Sequence, residues 1–136
     1  MKVLVDVNVV LDVLLDRQPH YAGSAAVWSA IESGAVEGLL SAHAVATIHY
    51  LIRKEAGAAK ARQTLTSILR VFGVAIVDER VILQALEMQS TDFEDSVTAA
   101  AAELAECDLI VTRDPKGFRG SPVQVLAPEA AARLLG

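Results

Sequence analysis

Hydrophobic and polar positions along the chain form two kinds of segment. Short runs rich in Val, Leu and Ile that end at polar or Gly residues predict buried strands, and apolar residues at three- and four-residue spacing predict helices. The predicted strands cover residues 2–5, 38–40, 74–77, 109–112 and 123–126. The predicted helices cover residues 9–15, 21–32, 41–54, 58–71, 79–88 and 93–106. Ser41 is the expected N-cap of the third helix, Gly57 separates it from the fourth, and a last helix starts at Pro128.

The regular alternation of strand and helix indicates an α/β protein. No Ser-, Gly- or Pro-rich stretch or long charge run marks a second boundary, so residues 1–136 are expected to form a single domain. Helices between strands favour a three-layer αβα sandwich with a central, mostly parallel sheet of four to five strands.

The predicted arrangement of strands and helices brings three aspartates together as a candidate site. Asp6 ends the first strand, Asp114 follows the fourth, and Asp95 lies in the first turn of the helix that leads into the fourth. In right-handed crossovers the carboxyl ends of strands and the N-termini of helices share one sheet edge, so the three carboxylates should meet there. Crowded carboxylates repel unless a hard cation neutralises them, which predicts bound Mg²⁺ or Mn²⁺.

Each aspartate also has an ordinary structural explanation. Asp95, close to Asp92, can simply cap a helix, and Asp114 before Pro115 can simply start a turn. Asp6 is harder to explain in this way, because a carboxylate that closes an apolar strand needs a partner to offset its desolvation. The joint pattern is therefore more informative than any single member.

Charge and cysteine content narrow the function. The chain has 12 Lys and Arg against 17 Asp and Glu, a net charge of -5, which argues against a broad basic surface that coats nucleic acid.

The single Cys107 excludes an intramolecular disulfide and fits a reducing compartment. Asp6 and Asp12 interrupt the apolar N-terminal run, so neither a secretory signal nor a membrane span is predicted, and we expect a cytoplasmic protein.

Three blocks of the sequence resemble the landmark blocks of the PIN-domain family. They are the opening VLVDVNVVLDVLLDRQP, the middle DFEDSVTAAAAELAECDLIVTRD and the following Gly117-Phe118. The opening and the DFED block are similar to the VapC-like toxin ribonuclease branch. The order and spacing of the blocks carry the resemblance, which runs essentially end to end.

The resemblance implies an activity and its residues. Asp6, Asp95 and Asp114 match the family's metal-binding and catalytic positions, which implies a Mg²⁺- or Mn²⁺-dependent endoribonuclease acting on RNA. Members of this branch are commonly toxins of VapBC-type toxin-antitoxin pairs, so a cognate antitoxin and a homodimer are also implied.

Three further residues are candidates for contact with the substrate. Asn8 and Thr112 match small polar positions of the family near the first and third aspartates. Arg113, together with Lys116 and Arg119, surrounds Asp114 and can hold phosphates of the scissile strand. Solvated surface charge is an equally ordinary explanation for these cations.

One departure from the family keeps other functions open. The family often has a Glu in the helix after the second strand, and Thr47 stands at that position here, so a weak or inactive PIN-like scaffold that binds RNA or protein is an alternative. A receiver-type phosphoacceptor domain is a more distant one, since Asp78 follows the third predicted strand and Lys116 lies further on.

Overall fold

The computed structural model describes residues Met1–Gly136 as five strands, seven helices and one 3₁₀ turn. The strands are β1 (Lys2–Val5), β2 (Glu37–Ser41), β3 (Gly73–Ala75), β4 (Leu109–Val111) and β5 (Gln124–Leu126). The helices are α1 (Val7–Leu14), α2 (Tyr21–Glu32), α3 (Ala42–Ala56), α4 (Ala58–Ile68), α5 (Glu79–Glu87), α6 (Phe93–Leu104) and α7 (Pro128–Leu135), and the 3₁₀ turn is Pro115–Phe118.

The five strands form one sheet in the order β3-β2-β1-β4-β5, and every neighbouring pair is parallel. Leu4 of β1 pairs with Leu39 of β2 on one side and with Ile110 of β4 on the other. The predicted α/β fold is confirmed, and the sheet is parallel throughout. All carboxyl ends of the strands therefore lie along one edge.

The central strand β1 is buried on both faces, as its continuous apolar sequence predicts. Val3 and Val5 pack into one apolar cluster with residues of α1, α2, α3, α4 and α7, while Leu4 packs into a second cluster with residues of α5 and α6. Alternate side chains of a strand point to opposite faces, so these two clusters are the two interfaces of a three-layer sandwich.

Helix α6 lies close to the sheet because its buried side chains are small. The four alanines at 99–102 are each at most 2% exposed. A methyl group occupies little space between a helix and a strand, so this stretch brings the helix backbone near the sheet. Close packing of the alanine-rich segment thus holds the N-terminus of α6, and with it Asp95, at the edge of the sheet where the carboxyl ends of the strands lie.

Two element boundaries differ from the predictions in ways that concern function. Helix α1 begins at Val7 rather than residue 9, because Asp6 acts as its N-cap and accepts a hydrogen bond from the Val7 N–H at 2.8 Å. Strand β3 ends at Ala75 rather than residue 77.

No helix in the structure is both long and apolar enough to cross a membrane.

Candidate functional site

The candidate site lies where the carboxyl ends of β1 and β4 meet. The Asp6 N–H donates to the Val111 carbonyl oxygen at 2.9 Å, which continues the pairing of the two strands to their last residues. Asp6 then leaves β1 as the N-cap of α1, and Thr112 leaves β4 beside it. The sheet thereby places both side chains at one edge.

The Asp6 carboxylate is held on both oxygens. Its Oδ1 accepts from the Val7 N–H at 2.8 Å and its Oδ2 accepts from the Thr112 hydroxyl at 2.8 Å. Burial raises the pKa of Asp6 above its ordinary value, and the two hydrogen bonds partly oppose that rise by stabilising the ionised form. The carboxylate is therefore orientated but poorly solvated.

Thr112 connects Asp6 to the start of the next loop. Its Oγ1 donates to Asp6 and accepts from the Asp114 N–H at 3.1 Å. Asn8 joins from α1, with Nδ2 at 3.4 Å from Thr112 Oγ1 and Oδ1 accepting from the Arg113 N–H at 3.3 Å. The predicted polar residues Asn8 and Thr112 thus lie in one network with Asp6.

Asp95 lies in the first turn of α6 and does not cap the helix. Asp92 is the N-cap, and its Oδ1 accepts from the Asp95 N–H at 3.1 Å. The Asp95 pKa is raised to about 7, first by burial and then by the negative charges of Asp92, Asp6, Asp114 and Glu94. Asp92 and not Asp95 is therefore the cap, while Asp95 remains an acid in the first turn, where the helix dipole favours negative charge. Its carboxylate stands in a crowded acidic environment.

Gly117 marks the point where Asp95 and Asp114 approach each other. A Cβ built on Gly117 would collide with Asp95 Oδ2 and would lie 3.2 Å from Asp114 Oδ2. The Gly117 N–H donates to the Asp114 carbonyl oxygen at 3.1 Å within the 3₁₀ turn. Only a residue without a side chain leaves room here for the two carboxylates.

The donor set fits a hard divalent cation in chemistry and charge. Asp6, Asp95 and Asp114 offer carboxylate oxygens, and none of them forms a salt bridge, since the one salt bridge of the structure joins Arg113 to Asp12. No three acidic, His or Cys side chains stand close enough together to enclose an ion as they are placed here. The three carboxylates thus form an open acidic cluster that would have to draw together to hold a cation.

Arg113 has a structural partner that the sequence did not predict. Its Nε donates to Asp12 Oδ2 at 2.7 Å, and the same oxygen accepts from the Ser24 hydroxyl at 3.0 Å. Asp12 is fully buried, whereas the Arg113 side chain is 27% exposed. A signal for this pair was present, because Asp12 stands among the apolar positions of a helix and a buried carboxylate needs a partner.

The first turn of α3 contributes His43, a second residue absent from the predicted set. Its Nε2 lies 3.4 Å from the Thr98 hydroxyl, and its Nδ1 is buried without a hydrogen-bond partner. Burial lowers the His43 pKa, against the opposing charges of Glu94 and Asp6. Thr47, one turn later, donates its hydroxyl to the His43 carbonyl oxygen at 3.1 Å, so α3 brings an imidazole and no carboxylate to this side.

Asp78, on which the receiver-type alternative depended, caps a helix. Its Oδ1 accepts from the Val81 N–H at 3.2 Å at the start of α5. That contact explains an acid after the third strand without a phosphoacceptor role.

Comparisons with known proteins find similar sequences and similar folds. A family model described as PIN domain matches residues 2–116. Ribonuclease VapC1 of Aquifex aeolicus (strain VF5) is 26% identical over 132 residues, which cover 94% of this chain and 91% of that protein.

Solved structures show the same fold. The crystal structure of FitAcB from Neisseria gonorrhoeae superposes with a TM-score of 0.73 at 23% identity, covering 93% of this chain and 97% of that one. A toxin-antitoxin complex from Klebsiella pneumoniae superposes with a TM-score of 0.70 at 18% identity, covering 93% and 97%. These likenesses extend over nearly the whole chain.

Proposed function

The chain belongs to the PIN domain family, and on that premise we propose that it is a Mg²⁺- or Mn²⁺-dependent endoribonuclease that hydrolyses RNA phosphodiester bonds. The observation that carries the proposal is the approach of acidic side chains at this edge: a Cβ on Gly117 would collide with Asp95 Oδ2 and would lie 3.2 Å from Asp114 Oδ2. The negative charges of Asp6 and Asp114 both act to raise the pKa of Asp95. These carboxylates repel one another, and a bound divalent cation would neutralise that repulsion. We assign Asp6, Asp95 and Asp114 as metal-binding and catalytic residues.

The protein's own groups orientate this site. Thr112 and the Val7 N–H hold the two oxygens of Asp6, and Gly117 leaves the space between Asp95 and Asp114 open. A divalent cation bound there would supply the positive charge that activates water and stabilises the added negative charge on the phosphate. Attack by water needs no ribose 2′-hydroxyl, so the products are expected to carry 5′-phosphate and 3′-hydroxyl ends.

RNA would be held locally rather than by a broad basic face. We propose Asn8, Thr112 and Arg113 as substrate-binding residues, because they line the same edge as Asp6. The ion pair with Asp12 orientates the Arg113 guanidinium, and the Arg113 side chain as a whole remains 27% exposed. Lys116 and Arg119 are exposed on the following turn and add positive charge beside Asp114.

A cognate antitoxin is the proposed protein partner, with the chain as the toxin of a VapBC-type pair in the cytoplasm. The support is the likeness to a protein named Ribonuclease VapC1 and to a structure titled as a toxin-antitoxin complex. A basic side chain of such a partner would suit the acidic cluster of Asp6, Asp95 and Asp114, because none of these carboxylates forms a salt bridge within the chain.

The first test is cleavage of a mixed single-stranded RNA pool in Mn²⁺ or in EDTA. Native protein should cut only with Mn²⁺ and leave 5′-phosphates, whereas Asp6→Asn and Asp95→Asn should lose the activity while remaining folded. Asp16→Asn is the matched control, because Asp16 is exposed and its positive φ of 49° suits Asn. Cleavage that persists in Asp95→Asn, or a folded native protein that never cuts, would refute the nuclease.

A catalytically weak or inactive PIN-like scaffold is the second candidate. It is favoured by two observations: no three acidic, His or Cys side chains enclose a metal position, and Thr47 supplies a hydroxyl where the family often has Glu. Titration with Mn²⁺ separates the two proposals. Saturable binding that disappears in Asp6→Asn supports the nuclease, and absence of binding in the native protein supports the scaffold.

A further inference from the structure

Positive charge is concentrated in residues 53–70, which cover the end of α3, all of α4 and the turn after it. This segment holds five of the 12 Lys and Arg of the chain and only one of its 17 Asp and Glu. The five cations are all exposed: Arg53, Lys54, Lys60, Arg62 and Arg70. None of them forms a salt bridge, since the one salt bridge of the structure joins Arg113 to Asp12. A group of unpaired cations in an otherwise acidic chain is suited to binding a polyanion.

Helix dipoles account for only part of this charge. Arg53 and Lys54 lie in the last turn of α3, where the dipole favours cations. Lys60 lies in the first turn of α4, where the dipole disfavours them. The positive charge of this segment therefore does more than stabilise helix ends.

One face of α3 connects the acidic cluster with these cations. Four side chains at four-, three- and four-residue spacing share that face, and we call them the α3 stripe: His43, Thr47, Tyr50 and Lys54. The stripe extends about 16 Å along the helix. At its first residue, His43 Nε2 lies 3.4 Å from the hydroxyl of Thr98 on α6, the helix that carries Asp95. The stripe thus begins beside the candidate site and ends among the cations.

Tyr50 presents a free aromatic ring next to a cation. It is 62% exposed, whereas His43 and Thr47 are half-buried. Its ring takes no part in the aromatic pair of the structure, which joins Trp28 to Phe72. Lys54 follows four residues later on the same face, so the ring and the ammonium group are neighbours. An aromatic ring that stacks on a base, beside a cation that binds a phosphate, is how proteins hold unpaired nucleic-acid strands.

We propose that the α3 stripe binds a single RNA strand, with Tyr50 stacked on an unpaired base and Lys54 on a phosphate. The inference rests on the proposed function, because the strand is taken to be the substrate that enters the acidic site. The carboxylates of that site repel a polyanion, so cations away from the site are needed to hold the strand. The stripe includes none of Asp6, Asp95 and Asp114.

The first test is binding of a fluorescently labelled RNA strand of about 12 nucleotides, measured by anisotropy in EDTA so that binding is separated from metal-dependent cleavage. Tyr50→Ala should weaken binding on the order of tenfold, whereas Tyr50→Phe keeps the ring and should bind like the native protein. Tyr21→Ala is the matched control, because Tyr21 is also exposed but lies on α2. Equal affinities in Tyr50→Ala and Tyr21→Ala, with both variants folded by circular dichroism, overturn the proposal.

A duplex of the same sequence tests whether the ring contacts an unpaired base. Bases of a duplex are already stacked on one another, so Tyr50→Ala should leave the affinity for the duplex unchanged while it weakens binding of the single strand. An equal loss for both forms of RNA would show that Tyr50 does not stack on a base.

Salt dependence tests the phosphate contact. Lys54→Gln should weaken binding, and the slope of log affinity against log salt should become shallower by about 0.7, as expected for one lost phosphate contact to a single strand. Arg133→Gln removes an exposed cation on α7 and should keep the native slope. A native slope in Lys54→Gln contradicts the proposal. Binding of a polyglutamate peptide but not of RNA would also overturn it, and would identify a surface for an acidic protein.

Cleavage kinetics in Mn²⁺ distinguish failure of this inference from failure of the nuclease. Tyr50→Ala should raise KM with little change in kcat, because it removes a contact away from the reacting phosphate. A native protein that binds the strand through Tyr50 but never cuts it refutes the nuclease and supports the α3 stripe. A native protein that cuts, with the same KM in Tyr50→Ala, supports the nuclease and overturns the role of the stripe.

Discussion

Arg113 forms an ion pair with the fully buried Asp12 that joins the segment after β4 to helix α1, with 2.7 Å between Nε and Oδ2. The partners are 101 residues apart in sequence. Arg113 directly precedes Asp114, so the pair anchors the backbone that carries one of the three candidate metal-binding residues. The Ser24 hydroxyl extends the anchor to α2.

Replacing Arg113 should destabilise the protein more than replacing an exposed arginine. Arg113→Met leaves the fully buried Asp12 without a counter-charge, so the free energy of unfolding should fall by about 3–5 kcal/mol. Urea denaturation measures the loss. Arg119→Met is the control and should change stability by about 0.5 kcal/mol or less. Asp12→Asn added to Arg113→Met should recover part of the loss, and an Arg113→Met effect below about 1 kcal/mol would contradict the assigned role.

Removing the Thr112 hydroxyl should disturb both aspartates that it contacts. Thr112→Val keeps the side-chain shape but takes a donor from Asp6 and an acceptor from the Asp114 N–H, which should cost about 1–3 kcal/mol. The Asp6 pKa should rise further, so Mn²⁺ affinity at neutral pH should fall. Denaturation and Mn²⁺ titration measure the two effects. Thr112→Ser retains the hydroxyl and should behave much like the native protein; equal effects in Ser and Val variants would argue against the hydrogen bonds.

A methyl group at position 117 should close the space between two carboxylates. The Cβ of Gly117→Ala would collide with Asp95 and press on Asp114, so Mn²⁺ binding should weaken by at least about tenfold while the fold is kept. Calorimetric titration of Mn²⁺ measures the change. Gly23→Ala is the control, because the atoms nearest to its Cβ all belong to the exposed, flexible Glu129 side chain. Unchanged Mn²⁺ affinity in Gly117→Ala would place the cation elsewhere.

The metal-free protein should lose stability as the pH rises toward neutrality. The folded protein raises the Asp95 pKa from 3.8 to about 7, so it binds the Asp95 proton more tightly than the unfolded chain does. The resulting stabilisation is complete below the unfolded value near 3.8 and is lost as the pH passes through about 7. Urea denaturation in EDTA across this range measures the slope.

Asp95→Asn should remove that part of the pH dependence, and Asp16→Asn should retain it. The difference between native and Asp95→Asn isolates Asp95 from His43, whose pKa is lowered by burial and whose contribution has the opposite sign. Saturating Mn²⁺ should also flatten the slope, because a bound cation favours ionised Asp95. Equal pH slopes in the native protein and in Asp95→Asn would show that the Asp95 carboxyl is not perturbed.

Much of the fold follows from local patterns in the sequence. Helix α2 occupies Tyr21–Glu32 and strand β1 occupies Lys2–Val5, both as predicted, because side-chain periodicity records which residues face the core. The position of Asp6, Asp95 and Asp114 at one edge also follows from the sequence, because parallel strands joined by helices have only one carboxyl edge. Their roles in metal binding and catalysis stay predictions.

Only the tertiary structure decided which side chains meet across long stretches of chain. Thr112 reaches Asp6 over 106 residues, and His43 reaches Thr98 over 55. Periodicity assigns a residue to a face but not to a partner, since the partner depends on strand order and on how far each loop carries the chain. For the same reason the sequence left Arg113 as either a phosphate contact or a solvated surface charge, and only the fold brought Asp12 beside it.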